Sequence, residues 1–224
     1  MKAMMLTAGL GTRLRPVTEH YAKPAVPFFG VPLLYYPLSL LESIGVNELV
    51  LNSHYKPEQI DEHARKLTAM GLKTNVSHEA GEPLGSGGGI WKAKKYLEGE
   101  DFVVCNGDEV ILPHDPLVMT KFLNEHRSSK ALATILVMRH PLVGTQFGGV
   151  WCAANGDVRG FGKDPKAFAD TAGFHYIGLL LLNPRIFEYL PEGESNILYD
   201  AITAAIAKGE TVRSVVSDFT WFET

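Results

Sequence analysis

The 224-residue sequence predicts a three-layer α/β/α fold in which helices cover both faces of a mostly parallel, mixed central sheet. In the first half, short apolar segments alternate with segments of helical periodicity in the order β-α-β-α-β-α-β. Strands joined by helical crossovers lie parallel, which is the Rossmann-like arrangement. The second half mixes strand pairs with two helices, and this pattern predicts a small antiparallel extension of the same sheet.

The elements of the first half follow from apolar spacing and from Gly and Pro at their ends. The first predicted helix has apolar residues at positions 33, 34, 38, 41 and 44 and ends before Gly45. The second opens on Pro57 and ends before Gly71. The predicted strands cover residues 2–7, 48–52, 72–77 and 101–105. The predicted helices cover residues 33–44, 57–70 and 88–97.

The second half contains one strong hairpin signal, the turn sequence N-G-D at residues 155–157. The apolar segments on its two sides are expected to pair with each other. The predicted strands of this half cover residues 131–138, 147–153, 158–161, 174–182 and 212–217. The predicted helices cover residues 117–126 and 197–207. No repeat or linker interrupts the pattern, so we expect one domain over residues 1–224.

Composition and charge exclude several classes of protein. Hydrophobic residues make up 46% of the chain and charged residues 21%, which excludes a disordered chain. The net charge is −4, so a broad surface for nucleic acid is not expected. Cys105 and Cys152 form no CxxC pair, and no apolar run is long enough to span a membrane. We therefore expect a cytoplasmic protein with reduced cysteines and no membrane partner; nothing in the sequence indicates its oligomeric state.

A glycine-rich loop follows the first predicted strand. Gly9 and Gly11 allow the main chain to approach a ligand closely, and successive amides there cradle phosphate oxygens. Arg13 adds a charge that forks onto phosphate, although a plain turn remains the alternative for a bare G-x-G. Leu14 stands where the dinucleotide fingerprint needs a third glycine, and the Walker pattern is absent. Lys23 precedes a proline, so its extended main chain projects a cation toward the pocket.

These features recur together in a known family. Residues 6–16 read L-T-A-G-L-G-T-R-L-R-P, residues 23–24 read K-P and residues 27–33 read P-F-F-G-V-P-L. In one register they resemble the signature of the sugar-1-phosphate nucleotidyltransferases, which is close to L-A-A-G-x-G-T-R-L-x-P-L-T, then P-K-P, then P-x-x-G-x-P-L. Thr7 and Ala22 are mild departures from this pattern.

Further segments match the same family in order, so the resemblance covers essentially the whole chain. The N-G-D segment of residues 106–108 resembles the metal motif of the family, and the glycine-rich segment after the third strand resembles its base-binding loop. The matching segments are residues 52–55 (N-S-H-Y), 59–60 (Q-I), 79–90 (E-A-G-E-P-L-G-S-G-G-G-I), 106–108 (N-G-D), 147–148 (F-G), 161–165 (F-G-K-D-P) and Gly178.

The resemblance implies a reaction and assigns residues to it. A sugar-1-phosphate oxygen attacks the α-phosphorus of a nucleoside triphosphate, and Mg²⁺ assists. The implied catalytic residues are Arg13 at the leaving pyrophosphate, Lys23 between the two phosphates and Asp108 on the metal. The implied nucleotide-binding residues are Leu6, Ala8, Gly9, Gly11, Thr12, Arg13, Glu82 and Gly87. The implied sugar-phosphate-binding residues are Lys23, Asn106, Gly148 and Lys163. Residues 1–110 then form a nucleotide-binding half and residues 111–224 a sugar-binding half.

The second metal ligand departs from the family pattern. A late strand of the family carries W-x-D-(V/I)-G-T-P, whose aspartate binds the metal. Glu223 occupies that position here and is also a hard oxygen ligand. The sequence given ends one residue later, ahead of the Gly-Thr-Pro segment, so we expect either a truncated chain or a short domain.

The resemblance leaves the substrate open between two members of the family. The E-P-L and G-G-G-I stretches and the length look most like the N-acetylmuramate-1-phosphate uridylyltransferases of cell-wall recycling. Mannose-1-phosphate guanylyltransferases share much of this pattern, so the expected nucleotide is UTP or GTP. The length leaves no room for the β-helix of the bifunctional N-acetylglucosamine-1-phosphate enzymes. A nucleotide-sugar-binding module without catalysis is the alternative from another class, motivated by Glu223.

Overall fold

A nine-stranded mixed sheet forms the centre of the computed structural model, which describes the main chain of residues 1–223 and the side chains of residues 1–222. Its strands are β1 (Lys2–Leu6), β4 (Glu48–Ser53), β5 (Lys73–His78), β6 (Phe102–Asn106), β8 (Ala133–Met138), β9 (Gly149–Cys152), β10 (Val158–Gly162), β11 (Ala172–Leu182) and β12 (Val212–Val216). Two small ribbons lie outside it: β2 (Pro27–Phe28) with β3 (Val31–Pro32), and β7 (Glu109–Pro113) with β13 (Phe219–Glu223).

Six α-helices connect these strands: α1 (Leu38–Ser43), α2 (Pro57–Ala69), α3 (Gly85–Lys92), α4 (Lys94–Leu97), α5 (Val118–Ser129) and α6 (Thr203–Ala207). A π-helical segment, Ile197–Ile202, leads directly into α6. None of the helices described is long and apolar enough to cross a membrane.

The sheet order is β10-β9-β11-β6-β1-β4-β5, and β8 pairs with both β11 and β12. β1 pairs in parallel with β4 and β6, and β4 pairs in parallel with β5. β11 runs antiparallel to β6, β8 and β9. The predicted fold class is therefore confirmed: a parallel half continues into an antiparallel extension, and the strand β11 joins the two.

Two apolar clusters, one on each face of the sheet, form the core. Side chains alternate along each strand, so Met5 faces one cluster and Met4 the other. The first cluster contains residues of α1, α2 and α5. The second contains residues of α3, α4 and α6. Fully burying one leucine or methionine contributes about 1.5–3 kcal/mol, so the two clusters hold helices on both faces, as predicted.

The elements predicted from periodicity are present, most with ends shifted by a few residues, and three of the helices also differ in form. The helix predicted over residues 33–44 is a 3₁₀ turn, Leu33–Tyr35, followed by α1, because Pro37 lacks an amide hydrogen at the junction. The helix predicted over residues 88–97 begins earlier, at Gly85, and divides into α3 and α4. The helix predicted over residues 197–207 starts as a π-helix.

The strands β7 and β13 were absent from the periodicity-based prediction. They pair antiparallel with each other, and Glu109 lies opposite Glu223. The two strands lie far apart in sequence and meet only in the folded chain, so no turn between neighbouring segments marks the pair. The resemblance implied the second of them but not its partner.

Candidate functional site

A pocket of about 260 Å³ opens at the carboxyl ends of the parallel strands. The end of β4 and the loops after β1, β5 and β6 reach it, which is where ligands bind in open parallel sheets. Six residues predicted from the sequence to bind nucleotide, sugar phosphate or metal line it: Leu6, Ala8, Gly9, Lys23, Asn106 and Asp108. They come from three separate segments of the chain, and the fold brings them to one cavity.

The glycine-rich loop turns sharply at Gly11. Its φ of +64° is in the left-handed region, which a glycine adopts without strain. A Cβ at this position would lie 2.8 Å from the Thr18 Cγ2 atom and 3.0 Å from the Lys23 Cβ atom. Gly11 therefore allows the segment that carries Lys23 to pack directly on the loop. Thr12 and Arg13 follow on an exposed 3₁₀ turn.

Lys23 and Asp108 form an ion pair in the pocket. The Lys23 Nζ atom lies 2.6 Å from an Asp108 carboxylate oxygen, and their side chains are 7% and 26% exposed. A buried ammonium is stable only with such a partner. The sequence predicted each residue separately, from two motifs, and the structure shows that they are in contact. The expected extended main chain at Lys23 is wrong, because Lys23 begins a 3₁₀ turn, Lys23–Ala25.

A buried carboxylate, Glu109, supports the neighbouring Asn106. Its Oε1 atom accepts a hydrogen bond of 2.6 Å from the Asn106 side-chain amide. Its Oε2 atom accepts one of 2.9 Å from the Trp221 indole. Glu109 was not among the residues predicted from the sequence. An acid directly after the N-G-D of residues 106–108 was the only local sign of it, and its contact with Trp221 forms only because β7 and β13 pair.

Gly178 leaves room for this carboxylate. Its φ is +76°, and a Cβ there would lie 2.7 Å from the Glu109 Oε2 atom. The register of β11 against β8 shifts between Tyr176 and Leu180, on either side of this glycine. Burial raises the pKa of Tyr176 well above its ordinary value, and the charge of Glu109 adds to the effect. Its phenol is therefore protonated at neutral pH.

A second buried network joins the ends of β1, β4 and β5. The Asn52 Oδ1 atom accepts from the Thr7 amide at 2.7 Å, and its Nδ2 atom donates to the Glu79 Oε1 atom at 2.7 Å. The Glu79 Oε2 atom accepts from the Leu84 amide at 3.2 Å. Asn52 and Glu79 both line the pocket. Asn52 was not predicted as a site residue, while Glu82, which was, is exposed and lies outside the residues that line the pocket.

Gly87 lies beside the pocket rather than on its wall. Its amide donates to the Ser195 carbonyl oxygen at 2.8 Å. A Cβ at Gly87 would lie 2.5 Å from the Ser195 Oγ atom. The preceding residues, Gly85 and Ser86, line the pocket instead. The glycine at position 87 packs against Ser195 in this structure, and its contact with the nucleotide stays a prediction.

The two predicted residues of the second half, Gly148 and Lys163, lie outside this pocket. A Cβ at Gly148 would lie 2.9 Å from the Tyr199 hydroxyl oxygen. Lys163 is exposed and directly follows β10. The pocket is therefore lined by six of the predicted residues, all from the first half of the chain, and by neither of these two.

An aromatic cluster connects the Gly148 segment to β13. The rings of Phe147 and His175 have centroids 4.9 Å apart, and those of His175 and Trp221 are 4.4 Å apart. Trp221 in turn holds Glu109. The main chain of Glu223 pairs with that of Glu109, but the Glu223 side chain, predicted as a metal ligand, lies outside the described residues.

Comparison with known proteins points to one family. The family model described as "Nucleotidyl transferase" matches residues 2–224. A UTP–glucose-1-phosphate uridylyltransferase of Synechocystis is 30% identical over 236 residues, which cover 100% of this chain and 60% of that protein. A probable mannose-1-phosphate guanylyltransferase of Arabidopsis thaliana is 31% identical over 230 residues, covering 100% of this chain and 61% of that protein. The chain thus spans about 60% of the length of these two curated relatives.

Solved structures agree with this match. HddC of Yersinia pseudotuberculosis in complex with GMP-PN superposes with a TM-score of 0.77 at 25% identity, covering 99% of this chain and 92% of that one. The UDP-glucose pyrophosphorylase of Acinetobacter baumannii superposes with a TM-score of 0.81 at 22% identity, covering 99% and 87%. The second likeness concerns the fold alone.

Proposed function

The chain belongs to the nucleotidyl transferase family, and from that premise we propose that it joins a nucleoside triphosphate to a sugar 1-phosphate. An oxygen of the sugar phosphate attacks the α-phosphorus and forms a new P–O bond. The bond from the α-phosphorus to the bridging oxygen breaks, and pyrophosphate leaves with that electron pair. The products are a nucleotide-sugar and pyrophosphate, and no covalent enzyme intermediate is required.

The contact between Lys23 and Asp108 beneath the glycine-rich loop carries this proposal. Two polyanions repel each other, so the enzyme must supply cations and amides at fixed positions. The amides of the loop around Gly9 and Gly11 face the phosphates. Lys23 neutralises charge between the α-phosphate and the incoming sugar phosphate. Arg13, exposed on the 3₁₀ turn that follows the loop, is proposed to neutralise the leaving pyrophosphate.

The chemistry of Asp108 fits a magnesium ion. Mg²⁺ binds one or two carboxylates and fills its other positions with water and phosphate oxygens. Among the described residues, no three His, Cys, Asp or Glu side chains are grouped to hold a metal. Asp108 would hold the ion as a carboxylate ligand together with water and phosphate oxygens of the substrate. When bound, Mg²⁺ supplies positive charge to the phosphates. We propose Asp108 as its ligand, with Glu223 as the second.

For the substrates, we propose UTP with an N-acetylmuramate-type sugar 1-phosphate, on the strength of the E-P-L and G-G-G-I stretches. The names of the relatives favour a second candidate pair, GTP with mannose 1-phosphate, because several curated relatives are mannose-1-phosphate guanylyltransferases. In either case we propose that Gly148 and Lys163, in the second half of the chain, contact the bound sugar phosphate.

Pyrophosphate release tests the proposal. UTP, GTP, CTP, dTTP and ATP are each combined with glucose, mannose and N-acetylmuramate 1-phosphates in the presence of Mg²⁺. We expect one pair to turn over well above the rest, and the Asp108→Asn variant, purified in parallel, to be inactive. Nucleotide binding by calorimetry without turnover by any pair would instead identify a binding module without catalysis.

A further inference from the structure

The side chain of Gln59, on the first turn of α2, is bound at both ends of its amide to the segment that precedes Lys23. Its Oε1 atom accepts a hydrogen bond of 2.7 Å from the main-chain amide of Ala22. Its Nε2 atom donates one of 2.9 Å to the main-chain carbonyl of His20. The Q-I pair of residues 59–60 belonged to the family pattern, but the site chemistry assigns Gln59 no function.

The opposite side of the same segment is also fixed. The Thr18 hydroxyl donates to the Gly11 carbonyl at 2.8 Å, and the Tyr55 hydroxyl donates to the Thr18 carbonyl at 2.9 Å. Thr18 and Lys23 pack directly over the bare Cα of Gly11. The segment 18–23 is thus held between the glycine-rich loop and the start of α2.

We propose that Gln59 is a positioning residue that sets the Lys23 ammonium in the pocket. A lysine has four flexible side-chain torsions, so the place of its Nζ atom depends on where its main chain starts. The Ala22 amide immediately precedes Lys23 and is fixed by Gln59. A misplacement of about 1 Å at a catalytic group costs on the order of 100-fold in rate. The expected effect on rate rests on the proposed transferase reaction, whereas the expected effect on the position of Lys23 does not.

Glutamine meets a requirement that similar side chains do not. The segment presents one donor, the Ala22 amide, and one acceptor, the His20 carbonyl, so the clamp needs one acceptor and one donor. Glutamate has the right length but only acceptors when ionised, and it places a carboxylate oxygen against a carbonyl oxygen. Methionine keeps the approximate size and forms neither bond.

Kinetics of Gln59→Met and Gln59→Glu test the proposal with the transferase reaction. We expect kcat to fall at least about 10-fold in Gln59→Met, a smaller fall in Gln59→Glu, and a KM for the triphosphate that changes less than kcat. In a Lys23→Met background, Gln59→Met should have no further effect on the rate, because its effect passes through that lysine. Ile60→Val, a buried change on the same helix, is the control for lost stability: it should lower Tm and leave kcat unchanged.

Two measurements without substrate keep the inference independent of the reaction. Hydrogen exchange of the peptide covering residues 18–23 should accelerate in Gln59→Met and not in Ile60→Val. Acylation of Lys23, quantified by mass spectrometry, should also be faster, since the side chain is 7% exposed in the wild type.

The outcomes separate the two proposals. Unchanged exchange and acylation in Gln59→Met overturn the positioning role, as does a fall in kcat that adds fully to that of Lys23→Met. A wild-type protein that turns over no substrate pair overturns the proposed reaction. The exchange and acylation results then decide the position of Lys23 by themselves.

Discussion

The loops of the first half and the hairpin of the second half hold their polar groups in different ways. Lys23, Asn52 and Glu79 are buried, and each is hydrogen-bonded within the pocket. Lys163, at the end of β10, is exposed to solvent and lies away from the pocket wall. The polar groups in the loops of the first half are therefore held by hydrogen bonds within the protein, whereas the second half presents the charge of Lys163 to solvent. Changes in the first half should thus affect rate and stability more than changes in the second.

The largest effect is expected at Asp108. Asp108→Asn keeps the size of the side chain and a hydrogen-bond acceptor for Lys23 but removes the charge proposed to hold Mg²⁺. We expect kcat to fall about 1,000-fold and Tm to fall as well, because the buried Lys23 ammonium loses its charged partner. Pyrophosphate release at increasing Mg²⁺ concentration is the measurement. A variant with wild-type turnover would overturn the metal assignment.

The two lysines compare the halves directly. Lys23→Met should lower kcat by about 100-fold, because it removes a cation from the transition state in a low-dielectric pocket. Lys163→Met should lower kcat/KM by about 10-fold, chiefly through the KM for the sugar phosphate, because an exposed charge contributes mainly to binding. Steady-state kinetics with each substrate varied provides both values.

Lys166→Met, an exposed change close to Lys163, is the control for loss of charge in that region. It should leave both parameters unchanged. Equal losses in kcat from Lys23→Met and Lys163→Met would contradict the difference between the two halves.

Replacing Glu109 tests whether the hydrogen bonds that join the end of β6 to β13 stabilise the protein. In Glu109→Gln, one acceptor facing Asn106 or Trp221 is replaced by a donor, so one hydrogen bond is lost in a buried site. We expect the free energy of unfolding to fall by about 1–3 kcal/mol. Urea denaturation measures it, and Glu82→Gln, an exposed change, should stay within about 0.5 kcal/mol of the wild type. Equal stabilities for the two variants would show that the network contributes nothing.

The smallest expected effect is the difference in stability between two glycine-to-alanine variants. It separates the cost of crowding a neighbouring side chain from the cost of backbone strain. Gly178 and Gly209 both have a positive φ, +76° and +86°, but a Cβ meets the Glu109 carboxylate only at Gly178, while the space around Gly209 is open. Replacing either by alanine costs about 1 kcal/mol of strain. Gly178→Ala should cost at least about 1 kcal/mol more than Gly209→Ala because of the contact. Thermal unfolding of the two variants is sufficient, and equal Tm values would disprove the crowding.

Local signals predicted much of the fold and part of the site. Periodicity located the strands of the main sheet and the helices on its two faces, because each depends on a spacing of residues close in sequence. The glycine-rich loop, Lys23 and the N-G-D segment were found in the same way. Periodicity did not predict the strands β7 and β13. The contact of Glu109 with Trp221, which depends on their pairing, was therefore not predicted either.

What the sequence alone determined was therefore the class of fold, the family and the chemical types present at the strand ends. The tertiary structure decided which of those groups meet. Lys23 contacts Asp108 across 85 positions of sequence, Asn52 joins Thr7 to Glu79, and Gln59 holds the segment before Lys23. It also packs Gly87 against Ser195, 108 positions further along the chain. Contacts of this kind depend on how the whole sheet assembles, and no spacing of nearby residues encodes them.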